Sequence, residues 1–225
     1  MRLYNNRKEK AEWVVQQFKP IFNEVNSVLD VGCDKKYLKK HLSDKVNYTG
    51  IDIAGNPDIY FDLDKGKKLP FKDNSFDLVV CLDVLEHLEN IHFVFDELIR
   101  VSSKYIIISL PNPVSEMIAY FLGRKYSKSF EQLKEFGKYM KFYGLPLEKP
   151  KDRHRWFFST EEAIEFVKYR ANKNNCTIKK IIYTIDYQKG IKKVLKMILC
   201  GFNRKRMLNL FNGATWFLIE KTHLK

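Results

Sequence analysis

The stretch VLDVGCDKKYL, from Val28 to Leu38, decides the fold of this chain. Its apolar start contains one acid, Asp30, and ends at Gly32, after which YLKKHL is compatible with a helix. Strand, tight turn and helix in this order are typical of the first βαβ unit of a nucleotide-binding sheet. Asp52 follows 20 residues after Gly32, where an acid can accept hydrogen bonds from both hydroxyls of a ribose. The stretch therefore predicts a site for an adenosine-containing cofactor.

The chemistry of this turn separates two classes of cofactor. A dinucleotide needs G-x-G-x-x-G, because its pyrophosphate must approach backbone amides at a helix N-terminus. The turn here keeps only Gly32, and Asp34 would repel a pyrophosphate, so a nicotinamide or flavin cofactor is not expected. S-adenosylmethionine has no phosphate and carries a sulfonium and an ammonium group. An acid such as Asp30 at the end of a strand suits that cationic part.

The composition is that of one globular domain. The 225 residues are 45% hydrophobic and 14% aromatic, which is enough to bury a sizeable core. No window approaches the roughly 18 uninterrupted apolar residues of a membrane span, and the first residues contain no apolar signal segment. The cysteines are widely spaced, which predicts reduced thiols in a cytoplasmic protein and neither a disulfide framework nor a metal site. They are Cys33, Cys81, Cys176 and Cys200.

Strand and helix patterns alternate along the first half of the chain, which predicts a parallel sheet with helices on both faces. Residues 114–153 break the rhythm with two further helical patterns, near 114–123 and 128–142, and are expected to form a helical cap inserted in the domain. The S-x-x-E capping box at Ser159 predicts a helix to about residue 173. Helices are expected at 7–18 (stopping at Pro20), 35–42 and 90–101, and strands at 27–31, 46–52, 58–62, 76–82, 104–110, 176–186 and 214–221.

The chain resembles the class I S-adenosylmethionine-dependent methyltransferases, in the broad group that includes ubiquinone-biosynthesis O-methyltransferases and related small-molecule enzymes. Each motif alone is weak evidence for the family, but the ordered set is specific for it. The set gives almost no information about the substrate. The resembling segments are VLDVGC at 28–33, GID at 50–52, Asp62 before LPF at 69–71, NSFDLVVCLDVLEHL at 74–88 and RHRWFFSTEEA at 153–163.

The resemblance implies a role for each matching position. Asp30 and Gly32 would line the methionine end of the cofactor, and Asp52 would hold the ribose. Asp62 would accept a hydrogen bond from the adenine amino group, although Asp64 is an alternative for this role. The full set expected at the cofactor is Asp30, Gly32, Cys33, Asp52, Ile53, Asp62, Leu63 and Leu82.

Two histidines are candidates for the acceptor side. His87 follows strand four at the catalytic edge, and its ordinary pKa near ~6.5 would let it deprotonate an acceptor hydroxyl. The alternative is that His87 only caps or packs the next helix. His154, beside Arg153 and Arg155, would face the acceptor from the opposite side or lie solvated in a basic loop. No [DN]-P-P-[YF] run follows strand four, so oxygen is the expected methyl acceptor.

Two positions depart from the family pattern. Asp34 and Lys36 stand where small residues are usual, and a glycine there lets the backbone pass close to the cofactor. Asp34 would serve as a helix N-cap, and Lys35 or Lys36 would pair with the methionyl carboxylate. Otherwise cofactor binding is weakened, and a degenerate scaffold without catalysis becomes the alternative.

The net charge of +13 favours anionic partners. Residues 189–211 form a basic helical insertion with an apolar face, which fits an interfacial membrane helix, a lid over a lipid-like substrate, or an ordinary helix packed on the sheet edge. The expected location is cytoplasmic, with a peripheral contact to an anionic membrane as a further expectation.

These observations together predict one α/β domain over residues 1–225, with a Rossmann-like, mostly parallel sheet of seven strands. The expected order is 3-2-1-4-5-7-6, the last strand being antiparallel. The expected function is O-methylation of a small molecule, sugar or lipid-linked glycan by S-adenosylmethionine. A nucleic-acid (RNA) methyltransferase and the degenerate scaffold remain the alternatives.

Overall fold

Short apolar runs form the strands of one seven-stranded sheet. The computed structural model describes residues 4–121 and 154–222, in which the sheet has the order β3-β2-β1-β4-β5-β7-β6. The predicted order is therefore confirmed. The strands are β1 Ser27–Val31, β2 Asn47–Asp52, β3 Ile59–Tyr60, β4 Phe76–Leu82, β5 Ser102–Pro111, β6 Cys176–Tyr183 and β7 Ala214–Lys221.

The strand directions place the carboxyl ends of six strands at one edge of the sheet. β1 pairs in parallel with β2 and β4, and β4 pairs in parallel with β5. β7 is antiparallel to both β5 and β6, as predicted, so β6 runs in the same direction as β5. The loops after β1, β2, β4, β5 and β6 consequently meet at this edge, where ligands of open α/β sheets bind.

Helices cover both faces of the sheet, which explains why the central strands are mostly apolar. Alternate residues of β4 serve the two faces: Val79 and Cys81 pack into one core, and Leu78 and Val80 into the other. The first core lies under α3 (Ile91–Val101) and α5 (Thr160–Lys173), and the second under α1 (Arg7–Gln17) and α2 (Lys19–Glu24). The remaining helices are α4 Pro113–Phe121, α6 Ile191–Leu199 and α7 Arg204–Phe211.

Local chemistry explains where most helices begin. The capping box of α5 is present: the Ser159 side chain accepts from the backbone N–H of Glu162, and the Glu162 carboxylate accepts from the backbone N–H of Ser159. The helix predicted at 7–18 is α1, which ends at Gln17, and the residues around Pro20 begin a second helix that was not predicted. Pro20 lies in the first turn of α2, where the missing N–H has no intrahelical partner to lose.

The helix expected at 35–42 is the main difference from the prediction. Residues 34–37 form turns, and only a short 3₁₀ helix, Leu38–His41, follows. Asp34 and Lys36 have left-handed backbones, with φ of 47° and 53°, so a right-handed helix cannot begin before Leu38. β3 and β6 are also shorter than expected. The second helix expected in the cap, near 128–142, lies outside the described residues, so the cap remains a prediction.

Candidate functional site

The turn after β1 is compressed between its neighbours. The backbone N–H groups of Gly32 and Cys33 both donate to the carbonyl of Ile51, at 2.8 and 3.2 Å. Gly32 has φ of 79°, and a Cβ placed there would lie 2.2 Å from Cγ2 of Val84. Only glycine satisfies both conditions. The thiol of Cys33 is buried against Gly50, and burial raises its pKa to about 12, so it is a neutral packing group.

Asp34 and Lys36, which stand where the family has small residues, hold the turn in its shape through ion pairs. Left-handed backbone costs a non-glycine residue about 1–2 kcal/mol. The Arg7 guanidinium lies 2.6 Å from a carboxylate oxygen of Asp34, and the Lys36 ammonium lies 2.6 Å from Asp58. Asp34 does not cap a helix as expected, because the short 3₁₀ helix begins only at Leu38. The side chains of Asp34 and Lys36 instead tie the turn to other parts of the protein.

Asp52 is held in one orientation at the end of β2. Its carboxylate accepts from the backbone N–H groups of Asp34 (2.8 Å), Ile53 (2.6 Å) and Ala54 (3.0 Å). A carboxylate has about four lone-pair positions, so further donors can still be accepted. Ile53 beside it is 54% exposed, which leaves an apolar surface at the same edge. A ribose and a flat base would find both kinds of contact here.

Asp62 and Asp64 have different surroundings in the loop after β3. Asp64 accepts from the backbone N–H of Glu89 at 2.8 Å, and its carbonyl accepts from the Asn90 side chain. Asp64 therefore joins two loops. Asp62 caps the 3₁₀ helix Leu63–Lys65 with one oxygen, while the other lies 3.7 Å from the exposed Lys65 ammonium. This arrangement favours Asp62 over Asp64 as the ligand-facing acid, with Leu63 buried beneath it.

Asp30 is buried at the end of β1 and is only 6% exposed. The Tyr48 hydroxyl donates to its carboxylate at 2.7 Å. Burial raises the pKa of Asp30 to about 7, with the Tyr48 hydrogen bond and Lys10 opposing and Asp52 assisting that rise. A cationic group arriving next to Asp30 would favour its ionised form.

This shift predicts a pH dependence of stability. Between pH about 4 and 7 the folded chain keeps the Asp30 proton, whereas the unfolded chain, with the ordinary pKa of 3.8, has lost it. The free energy of unfolding should therefore fall as pH rises through this window, by up to about 1.4 kcal/mol per pH unit. Urea denaturation at several pH values should show this slope weakened in Asp30→Asn.

The matched control is Asp77→Asn. Burial alone would raise the pKa of Asp77, but hydrogen bonds from the backbone of Asn26 and Ser27 lower it. Its stabilisation is present above pH about 4 and lost on acidification, the opposite sign. An unchanged pH slope in Asp30→Asn would show that Asp30 is ionised in the folded chain.

A partly buried ion pair lies near Asp30, and the sequence patterns did not predict it. Lys10 of α1 forms an ion pair with Asp83, 73 residues away, and lies 5.2 Å from the ring centre of Trp216. The Ser109 hydroxyl donates to the other oxygen of Asp83 at 2.5 Å. Burial opposes ionisation, but Lys10 and Ser109 hold the pKa of Asp83 below its ordinary value. Leu82, at the end of β4, packs half-buried on the α1 side.

The two predicted histidines meet at the same edge, together with Glu86. The rings of His87 and His154 lie 4.6 Å apart, edge to face, so they are on one side of the site and not on opposite sides as expected. Glu86 is 1% exposed, and its Oε1 lies 3.8 Å from Nε2 of His87 and 4.0 Å from Nε2 of His154. We call these three residues the Glu–His–His cluster.

Backbone contacts hold the two halves of this cluster together. The backbone N–H of Arg155 donates to the carbonyl of Glu86 at 2.8 Å, and the Trp156 indole donates to the carbonyl of Leu88 at 2.7 Å. Val84, two residues before Glu86, is the side chain that contacts Gly32. The cluster therefore lies next to the turn after β1.

The Glu–His–His cluster has the composition of a metal site, which the sequence did not predict. One ligand atom from each of the three residues lies within 4.8 Å of the others. Metal bonds of about 2.0–2.2 Å would place such atoms roughly 3.0–3.6 Å apart, so the side chains would have to approach one another by up to roughly 1–2 Å. Glu86 and His154 are separated by 68 residues in the sequence, which is why no local spacing revealed the group.

Comparisons with known proteins identify the family of the chain. The sequence model of a family described as a methyltransferase domain matches residues 3–167, well over half of the chain. The ubiquinone biosynthesis O-methyltransferase of Rickettsia bellii is 28% identical over 131 residues, which cover 51% of this chain and 54% of that protein. The chain thus spans about half the length of the curated relatives it matches.

Solved structures show the same fold at low identity. A SAM dependent methyltransferase from Archaeoglobus fulgidus superposes with a TM-score of 0.57 at 15% identity, covering 96% of this chain and 95% of the other. The magnesium protoporphyrin IX methyltransferase of Synechocystis PCC 6803, with bound SAH, gives 0.54 at 14% identity, covering 96% and 83%. At these identities the likeness concerns the fold alone.

Proposed function

The chain belongs to the methyltransferase-domain family, with S-adenosylmethionine as its cofactor, and on this premise we propose that it methylates an oxygen atom of its acceptor. The observation that carries the proposal is the Glu–His–His cluster beside the turn after β1. A hydroxyl acceptor loses a proton when it is methylated, and the cluster offers groups that can take it. The acceptor class we propose is a small molecule, sugar or lipid-linked glycan.

The proposed roles follow from the position of each side chain. When bound, S-adenosylmethionine supplies a methyl group on a sulfonium, which is a good leaving group. Asp52 and Asp30 hold the ribose and the cationic methionyl part. His87 takes the proton of the acceptor hydroxyl on its imidazole, and Glu86, 3.8 Å away, stabilises the resulting positive charge. Alignment of the acceptor with the methyl group and exclusion of water from the site account for the rest of the rate enhancement.

His87→Ala is the test of the proton-accepting role. Turnover should fall by roughly 10²–10⁴-fold, because that is what a positioned general base typically contributes. Affinity for S-adenosylhomocysteine should stay within about twofold. The assay is transfer of radiolabelled methyl groups to a panel of phenols, sugars and polyprenyl-linked glycans, with calorimetry for the affinity.

His92→Ala is the matched control, because His92 is an exposed histidine on α3 outside the cluster. It should leave both quantities unchanged. If His87→Ala turned over at the rate of the unmodified chain, the base would have to be another group.

A bound divalent cation is a second way for the cluster to act, favoured by the three converging ligand atoms. A cation at this position would lower the pKa of a bound hydroxyl. Calorimetric titration of chelator-treated protein with Mn²⁺ and with Zn²⁺ should then give one site, lost in Glu86→Gln and in His154→Ala but kept in His92→Ala. An absence of binding heat for both ions would leave His87 as the proton acceptor.

The two alternatives from the sequence have less support. An RNA acceptor rests on the net charge of +13. A scaffold without catalysis rests on Asp34 and Lys36, yet the turn keeps its left-handed residues and its ion pairs to Arg7 and Asp58. Failure to bind S-adenosylhomocysteine in calorimetry would refute the proposed function.

A further inference from the structure

Helix α6 presents an apolar stripe to solvent. The stripe consists of residues spaced at i, i+3, i+4, i+7 and i+8, which would normally face a core. In the part of the chain that the structure describes, every one of them is at least half exposed, from 51% for Val194 to 78% for Leu199. The members of this stripe are Ile191, Val194, Leu195, Ile198 and Leu199, and Phe202 beyond the helix is 71% exposed.

The opposite side of α6 is the one that packs on the protein. Cys200, just after the helix, is buried in a small core with Ile185 and Met207, and Met197 packs partly buried against it. The ammonium groups of Lys193 and Lys196 donate to the Asp186 carbonyl and the Gln188 side chain. The orientation of the helix is thus set by contacts on its other face, and the stripe is left outward.

The charge around the stripe has one sign. From Tyr187 to Ile219 the sequence contains no aspartate or glutamate. Arg204 and Lys205 form ion pairs with Asp186 and Glu161, whereas Lys192 lies exposed at the margin of the stripe. An outward apolar face with basic flanks is the pattern of a helix that lies in the interface of an anionic membrane. The basic residues are Lys189, Lys192, Lys193, Lys196, Arg204, Lys205 and Arg206.

The stripe lies at the edge of the sheet that carries the candidate site. β6 runs parallel to β5, so the segment that follows it leaves from the same edge as the loops after β1 and β4. The Asn112 side chain donates to the carbonyl of Asn209 at 2.8 Å, and the Thr160 hydroxyl donates to the carbonyl of Leu208 at 3.1 Å. These bonds attach α7, and with it α6, beside the end of β5. A surface bound by α6 would therefore face the acceptor side.

We infer that α6 docks on an anionic lipid bilayer and presents the site to a membrane-bound acceptor. This rests on the proposed function, which it narrows to acceptors with an apolar, lipid-like part. None of the helices in the described residues is long and apolar enough to cross a bilayer. The partner of the stripe is a bilayer and not a second copy of the chain. Two such faces brought together would place their basic flanks against each other, and the like charges would repel.

Vesicle co-sedimentation of the full chain, with S-adenosylhomocysteine present, tests this inference. Vesicles of phosphatidylglycerol and phosphatidylcholine should retain the protein, and pure phosphatidylcholine should not. The double variant Leu195→Asp/Ile198→Asp should reduce retention at least tenfold. Lys192→Glu should weaken it and make it less salt-dependent.

Matched controls come from α5, where Tyr169 is 67% exposed and Lys168 is also exposed. Tyr169→Asp and Lys168→Glu should bind vesicles like the unmodified chain. Equal retention of the Leu195/Ile198 variant, or equal binding to neutral vesicles, would overturn the inference. So would a dimer in analytical ultracentrifugation that this variant abolishes, since the stripe would then belong to a second copy.

Calorimetry with S-adenosylhomocysteine on the same samples separates the two proposals. Cofactor binding without vesicle binding would refute the membrane contact alone. Vesicle binding without cofactor binding would refute the proposed function, and with it the assignment of an acceptor to that surface.

Discussion

Gly32→Ala is expected to destabilise the fold by about 2–5 kcal/mol and to abolish measurable cofactor binding. Part of the loss, about 1–2 kcal/mol, comes from a left-handed residue that is no longer glycine. The rest, about 1–3 kcal/mol, comes from the new methyl group, which would lie 2.2 Å from Val84 Cγ2. Urea denaturation gives the stability, and calorimetry with S-adenosylhomocysteine gives the affinity.

Two further variants separate these causes. Gly201 also has a positive φ, of 58°, but no atom lies within 4 Å of its would-be Cβ among the described residues. Gly201→Ala should therefore cost only the backbone part. Val84→Ala in the Gly32→Ala background should recover stability by removing the clashing methyl group. A Gly32→Ala protein as stable as the unmodified chain would mean that the turn does not have the described conformation.

Asp52→Ala is expected to weaken binding of S-adenosylhomocysteine by at least about 10- to 150-fold. One ribose hydrogen bond to a charged acceptor is worth roughly 1.5–3 kcal/mol, so this range is the smallest loss expected when the carboxylate is removed. The same substitution removes the acceptor of three backbone N–H groups. Part of the loss of affinity therefore comes from destabilising the loop that carries these groups. Thermal denaturation without ligand measures that part separately.

Asp44→Ala is a suitable control for Asp52→Ala. Asp44 is an exposed acid in the loop before β2, so its loss changes the net charge equally without altering the site. Affinity should be unchanged in this variant. If Asp52→Ala also kept its full affinity, Asp52 would not contact the ribose.

The positions of most strands were accessible from local patterns because each pattern depends on neighbouring residues. The alternation of apolar runs and helical periods predicted a mostly parallel sheet, and the resemblance to the methyltransferase family implied its order with an antiparallel β7, which the structure confirms. Ser159 and Glu162, three residues apart, predicted the start of α5 for the same reason. Asp52 and Asp62 were placed at strand ends by the same patterns, although their contacts with a ligand remain predictions.

The turn after β1 shows where local patterns fail. Asp34 and Lys36 have no intrinsic preference strong enough to predict a left-handed backbone, and residues 35–42 resemble a helix in isolation. In the structure, Asp34 forms an ion pair with Arg7 of α1, and Lys36 forms one with Asp58 in the loop between β2 and β3. These distant partners favour the turn over the helix, which begins only at Leu38.

The sequence by itself determined where the strands lie along the chain, the glycine turn and the acids at the strand ends, because each rests on propensities and spacings of residues close in the chain. The order of the strands in the sheet was implied by the resemblance to a known family. The tertiary structure alone decided which charged groups meet. Lys10 pairs with Asp83, and Glu86 lies between His87 and His154, across separations of 73 and 68 residues. A long-range contact depends on how the layers pack, and packing of non-local elements leaves no periodic trace in one sequence. For the same reason, only the structure showed which face of α6 is turned outward.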